Sequence, residues 1–138
     1  MDTTSLLEEF NRQSDHSLIA ALGIRFTSLH PERVEAVMPV DHRTCQPFGI
    51  LHGGASLALA ETLAGAGSLL LSDKDEVVVG VEVTGNHLAS VPSGTEVHAV
   101  ATIIHRGRST HLWNVDIYRN DGHLAATVRV LNAVRKKK

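Results

Sequence analysis

Between Arg43 and Asp73 the chain is apolar and rich in Gly and Ala, and its only formal charge is Glu61. Pro47 and Gly49 interrupt the chain before this run, and the Ala and Leu positions that follow favour helix, so the pattern predicts a helix over 53–71. His52-Gly53-Gly54 then stands at its N-terminus. On a 3.6-residue period Leu59, Leu63, Ala66 and Leu70 form one stripe, while Gly54, Ala58, Glu61, Gly65 and Ser68 form another of small residues. That second stripe predicts the close approach of a backbone or a ligand, with the carboxylate pointing into the same place. The run is long enough to span a bilayer, but a mid-span acid and repeated glycine argue against it. A buried, ion-paired glutamate is the structural alternative; a functional carboxylate is the expectation.

The flanking segments alternate with period 2. Strands are expected at 24–29, 33–38, 77–91, 95–105, 110–118 and 123–134, with turns at His30-Pro31-Glu32, Pro92-Ser93-Gly94, Arg106 to Ser109 and Asn120-Asp121-Gly122. In the 77–91 segment the alternation places Val77, Val79, Val81, Val83, Gly85, His87 and Ala89 on one face, and His87 is either a satisfied core histidine or a site residue. Ahead of the strands, residues 1–23 read as a helical lead-in: Ser5 to Glu8 has capping-box spacing beside Leu6 and Phe10, and a second short helix over 17–22 stops at Gly23. The order is strand, strand, long helix, then four strands in a meander. The expected fold is α+β, a single domain over 1–138 in which one antiparallel sheet wraps one central helix.

Composition narrows the function classes. The chain has 138 residues with 13 basic against 15 acidic side chains and a net charge of −2, so nothing global attracts nucleic acid. A single cysteine, Cys45, precludes an intramolecular disulfide, and the acidic N-terminus lacks a signal-peptide pattern, so a cytoplasmic location and no membrane partner are expected. The basic residues 135–138 read as a solvated, flexible tail. Nine histidines are scattered without H-x-H, H-E-x-x-H or Cys/His spacing, so no metal and no cofactor are expected.

His52 and Glu61 are the acid/base candidates, yet nine residues of helix hold them roughly 13 Å apart and about half a turn out of phase. If both serve one reaction, the site combines two copies of the chain. The helix N-terminus offers unpaired N–H groups and the positive end of the macrodipole, with no side chain on Gly53 to keep an oxygen away. Gln46, beside the turn set by Pro47 and Gly49, could supply a second donor to the same oxygen. The bland alternative is that His52-Gly53-Gly54 merely starts a helix. Ser56 lies one turn after His52 but lacks an orienting third group and a G-x-S-x-G elbow, and Cys45 is a weaker nucleophile candidate still.

The stretch Gln46-Pro-Phe-Gly-Ile-Leu-His52-Gly-Gly-Ala-Ser-Leu-Ala-Leu-Ala-Glu61 closely resembles the hotdog-fold acyl-CoA thioesterases related to 4-hydroxybenzoyl-CoA thioesterase, in particular their 1,4-dihydroxy-2-naphthoyl-CoA and enterobactin-pathway proofreading branches. The resemblance extends to MPVDHRT before this stretch and VVGVEVTGNH after it. It implies the hotdog fold, dimers pairing into tetramers, and hydrolysis of an acyl-CoA or acyl-carrier-protein thioester with Glu61 as general base or nucleophile. Gln46 and Gly53 would polarise the thioester carbonyl from the opposite subunit, with His52 supporting that end. Gly80, His87, Leu88, Ala89 and Ser90 would line the acyl or pantetheine path. The hairpin His105-Arg106-Gly107-Arg108-Ser109-Thr110 would hold the CoA phosphates, a role that suits its two arginines independently. One departure stands out: these relatives carry Ser or Thr one turn after the catalytic Glu, and this chain has Gly65. A 3-hydroxyacyl-thioester dehydratase and a non-catalytic acyl-CoA-binding protein are the alternatives, the latter disfavoured by a lead-in too short for an output module.

Overall fold

A computed structural model describes residues 3–138, which form α1 (Thr3–Gln13), α2 (Leu18–Ala21), β1 (Arg25–His30), β2 (Arg33–Val40), α3 (Gly53–Leu71), β3 (Glu76–His87), β4 (Thr95–Arg106), β5 (Thr110–Tyr118) and β6 (Leu124–Lys136). The long helix falls over the predicted range because nothing between its His52 cap and its Ser72 cap interrupts the helix formers. Although α3 is long and apolar enough to cross a membrane, it lies in the concave face of the sheet and touches all six strands. Leu59 and Leu63 are fully buried there, each contributing about 1.5–3 kcal/mol by leaving water.

The closest approach of sheet to helix is at Gly67, where an added Cβ would run into the ring of Trp113, itself wholly buried on β5. The predicted small-residue stripe is therefore split: Ser68 is buried under β5 and β6, whereas Gly54 and Glu61 are exposed and Gly65 has no atom within 4 Å of an added Cβ. The stripe runs from the open edge of the sheet at Glu61 to its middle at Ser68.

The sheet is antiparallel in the order β1-β2-β4-β5-β6-β3, so the expected meander of four strands is a meander of three, and β3 returns to pair with β6 at the far edge. The crossover follows from α3, which carries the chain past the sheet before β3 begins. β3 also ends at His87 rather than Val91, and a bulge between Gly80 and Glu82 leaves Val81 without a partner. One extra residue reverses the alternation, so Val77, Val79 and Val81 are exposed while Val83 and Gly85 turn towards the helix. His87 is exposed, not a core histidine.

Two further expectations change at the ends. Ser5 lies inside α1, which starts at Thr3, rather than capping it. The C-terminal residues are tied down: Lys136 pairs with Glu76 and reaches Asp75 at 3.1 Å, and the Lys137 N–H donates to the Asp75 carbonyl at 2.7 Å. The Asn120-Asp121-Gly122 turn is as expected, with Gly122 at φ 88° in the left-handed region.

Candidate active site

At the start of α3, His52 caps the helix with its side chain: Nδ1 accepts from the Gly54 N–H at 2.8 Å, and the His52 carbonyl accepts from the Ala55 N–H at 3.0 Å. Of these first donors the Gly53 N–H alone has no partner among the described residues. The His87 ring, delivered by the end of β3, lies over Gly53; an added Cβ there would come within 2.8 Å of its Nε2. Gln46 is held by a turn that Gly49 closes at φ 85°, with the Gln46 N–H donating to the Ile50 carbonyl at 2.9 Å. The Phe48 N–H donates to Gln46 Oε1, which leaves the amide nitrogen as the outward-facing donor. Gln46, Gly53, His87, Leu88, Ala89 and Ser90 share one cavity of about 410 Å³. The His52 ring instead faces a separate hollow with Arg43 and Cys45.

Glu61 opens into a different cavity, of about 370 Å³, between α3 and the lead-in helices, where Phe10, Ile19, Phe26 and Leu69 make apolar walls and Gly65 leaves the floor open. Phe10 and Phe26 meet edge to face with centroids 5.8 Å apart, fixing α1 against β1. Glu61 has no ion pair or hydrogen bond among the described residues and is exposed within the single chain, so the ion-paired structural role does not apply. Its Oε1 lies against Gly80, 2.5 Å from where a Cβ would sit. Gly80 therefore belongs with Glu61, apart from the cavity that holds His87 to Ser90. A carboxylate in an apolar cavity and a free N–H at a helix N-terminus are thus both built, in two separate places.

Residues 48–126 match the thioesterase superfamily. Proofreading thioesterase EntH of Cronobacter turicensis is 43% identical over 93% of this chain and 93% of its own. The chain belongs to the thioesterase superfamily. Thioesterase HI1161 of Haemophilus influenzae superposes with a TM-score of 0.90 at 41% identity, covering 94% of this chain and 90% of that one. A mutant of thioesterase PA1618 from Pseudomonas aeruginosa does so with a TM-score of 0.90 at 44% identity, covering 94% of both. The helix in its antiparallel wrap is the superfamily's hotdog fold.

In this thioesterase-superfamily chain the β4–β5 hairpin stands at the other end of α3. Gly107 N–H donates to the Thr110 carbonyl at 2.8 Å and the Ser109 carbonyl accepts from Val134 N–H at 2.9 Å, which fixes the turn. His105 is exposed beside it, its Nε2 3.0 Å from where a Gly107 Cβ would sit. The two arginines differ: Arg106 donates to the Leu71 carbonyl at 3.1 Å, satisfying the helix C-terminus, while Arg108 is exposed with no bonding partner among the described residues. They border a polar cavity of about 320 Å³ with Asp73, Glu76 and His111. Burial, and secondarily the Arg106 charge, holds the His111 imidazole below its ordinary pKa.

Sequence reasoning passed over a buried polar cluster. Ser68 Oγ accepts from Trp113 Nε1 at 2.9 Å and from Asn132 Nδ2 at 3.1 Å and lies 2.8 Å from His111 Nδ1. With two donors already on its oxygen, the hydroxyl donates to Nδ1, which fits a neutral His111. The available signal was Asn132, a polar residue in the alternating row of β6 that otherwise holds Ala126, Val128, Val130 and Val134. The lead-in helices were also passed over as carriers of chemistry, yet Phe10 and Ile19 wall the Glu61 cavity.

Proposed function

We propose that the protein hydrolyses an acyl thioester of CoA at a site shared by two copies of the chain. The observation that carries this reading is the division of labour along α3: the free Gly53 N–H and the Gln46 amide face one cavity, and Glu61 faces another. A neighbouring chain that brings its helix N-terminus to Glu61 completes both. The surface for that neighbour is β3, an edge strand whose Val77, Val79 and Val81 are exposed.

In this reading Glu61 removes a proton from water as the water oxygen attacks the thioester carbonyl carbon. The developing oxyanion is held by the Gly53 N–H, the Gln46 amide and the positive end of the α3 dipole. Collapse breaks the C–S bond and releases a carboxylic acid and a thiol. A thiol with a pKa near that of free Cys, about 8.5, leaves without a strong general acid, so the lone carboxylate suffices. A covalent route with Glu61 as nucleophile uses the same groups. Arg108 and its hairpin bind the phosphates of the CoA, with Arg106 already committed to the helix end.

Thiol release from a small panel of aryl- and alkyl-CoA thioesters tests the reading. The wild-type protein should release thiol, and Glu61→Gln should lower kcat by about 100-fold or more while keeping the fold. No thiol release from any member, or near-normal turnover by folded Glu61→Gln, would refute it. Mixing Glu61→Gln subunits with Gly53→Pro subunits, which lack the backbone donor, should restore roughly a quarter of wild-type activity for random equal mixing. Verified mixed dimers as inactive as their parents would show that the site is not shared.

A further inference from the structure

Asn132 on β6 is 1% exposed and pairs with Gly80 on β3. Its amide nitrogen is fully engaged, donating to the Ala64 carbonyl at 3.2 Å and to Ser68 Oγ at 3.1 Å. Because the Ala64 carbonyl can only accept, the nitrogen must face it and Oδ1 must face away, towards Gly80. There Oδ1 accepts no hydrogen bond from the described residues, and yet none of their buried side-chain nitrogens or oxygens is left without a partner. This oxygen therefore keeps a small accessible surface, although Asn132 as a whole is buried. The point where a Gly80 Cβ would sit lies 3.8 Å from Asn132 Oδ1 and 2.5 Å from Glu61 Oε1. Two acceptors, Glu61 Oε1 and Asn132 Oδ1, thus lie on the same side of Gly80, where a side chain would collide with the carboxylate.

Two neighbouring acceptors can be bridged by one water, which gives an O–H to each and keeps a lone pair free. The geometry points to Asn132 Oδ1 as the second anchor of the hydrolytic water that Glu61 activates, a position-setting group for the reaction. This rests on the thioester-hydrolase reading above. On attack the proton facing Glu61 passes to the carboxylate, and the proton held by Asn132 travels with the water oxygen into the acid product. Gly65 explains why the task falls here: it has no side chain one turn past Glu61, where a hydroxyl could otherwise orient the water. The Ala64 carbonyl, which can only accept from the amide nitrogen, is what keeps the Asn132 amide from rotating.

A crystal structure at a resolution that shows ordered water tests the anchor without any assay of activity. A water within hydrogen-bond distance of both Glu61 and Asn132 Oδ1 is expected; a protein donor on Oδ1, or no water there, would overturn the proposal even if the protein is a thioesterase. Kinetics tests the role. Asn132→Ala should lower kcat about tenfold with KM changed less than about twofold, the loss of one hydrogen bond to the attacking water. Ser68→Ala disturbs the same core from the other side and should lower Tm while holding kcat within about threefold. Adding Gly65→Ser to Asn132→Ala should recover most of the lost kcat without recovering Tm, because it returns a hydroxyl to the carboxylate and nothing to the core. Equal kcat losses in Ser68→Ala and Asn132→Ala, or no recovery with Gly65→Ser, would reduce Asn132 to a structural residue. Should Asn132→Ala fail to fold, Asn132→Ser is read by the same criteria.

Discussion

Replacing Gly80 with alanine separates the position of Glu61 from the stability of the fold. The new Cβ would sit 2.5 Å from Glu61 Oε1, whereas ordinary contact begins near 3.4 Å, so the carboxylate must retreat by about 0.9 Å. A displacement of that order at a reacting group costs up to about 100-fold in rate, so kcat should fall by about 10- to 100-fold. Stability should move the other way. Gly80 lies in a paired strand outside the left-handed region, and the obstructing atom is the far end of an exposed side chain that can swing aside. Gly→Ala at such a site stabilises by about 0.4–1 kcal/mol through the unfolded chain, a rise in Tm of a few degrees at most. The measurements are thiol release on the best CoA thioester of the panel and thermal unfolding of the same preparation. Gly85→Ala is the control, since its Cβ would press on Leu57 Cδ2 at 2.7 Å and leave Glu61 untouched. A folded Gly80→Ala protein with wild-type kcat would refute the claim that Gly80 sets the carboxylate, as would an equal loss in Gly85→Ala.

Gly67→Ala should do the opposite, costing about 1–3 kcal/mol because the Trp113 ring it meets is wholly buried and tethered to Ser68; an unchanged Tm would show that the ring can shift. Arg106→Ala should lower Tm slightly by freeing the Leu71 carbonyl, whereas Arg108→Ala should leave Tm alone and raise KM for CoA thioesters; a matching rise with an N-acetylcysteamine thioester would remove the phosphate role. His111 titrates below its ordinary value in the fold, so the unfolded chain takes up the proton first, and stability should fall as pH drops below about 6.5 towards the folded value. His111→Gln should flatten that part of the Tm-against-pH curve, and an unchanged slope would assign it to other groups.

The sequence by itself determined the local elements: α3 lies where its helix formers run from Gly53 to Leu71, and Asp121-Gly122 closes its hairpin, because propensity, capping and turn chemistry act over a few residues. It also determined that Glu61 and the α3 N-terminus cannot meet within one chain, since helix rise fixes their separation. The resemblance named the superfamily. What it could not determine depends on which strands lie side by side. One bulged residue, Val81, turns the Val77 to Val81 face outward, and no alternation in the sequence marks the slip. The return of β3 to β6 is what sets Gly80 beside Asn132 and under Glu61, residues far apart in the chain whose proximity follows from sheet order alone. His52, alike in sequence to an acid/base group, is turned by one hydrogen bond to Gly54 into a helix cap, while His87, set in an apolar run, comes to lie over Gly53 because strand β3 ends there.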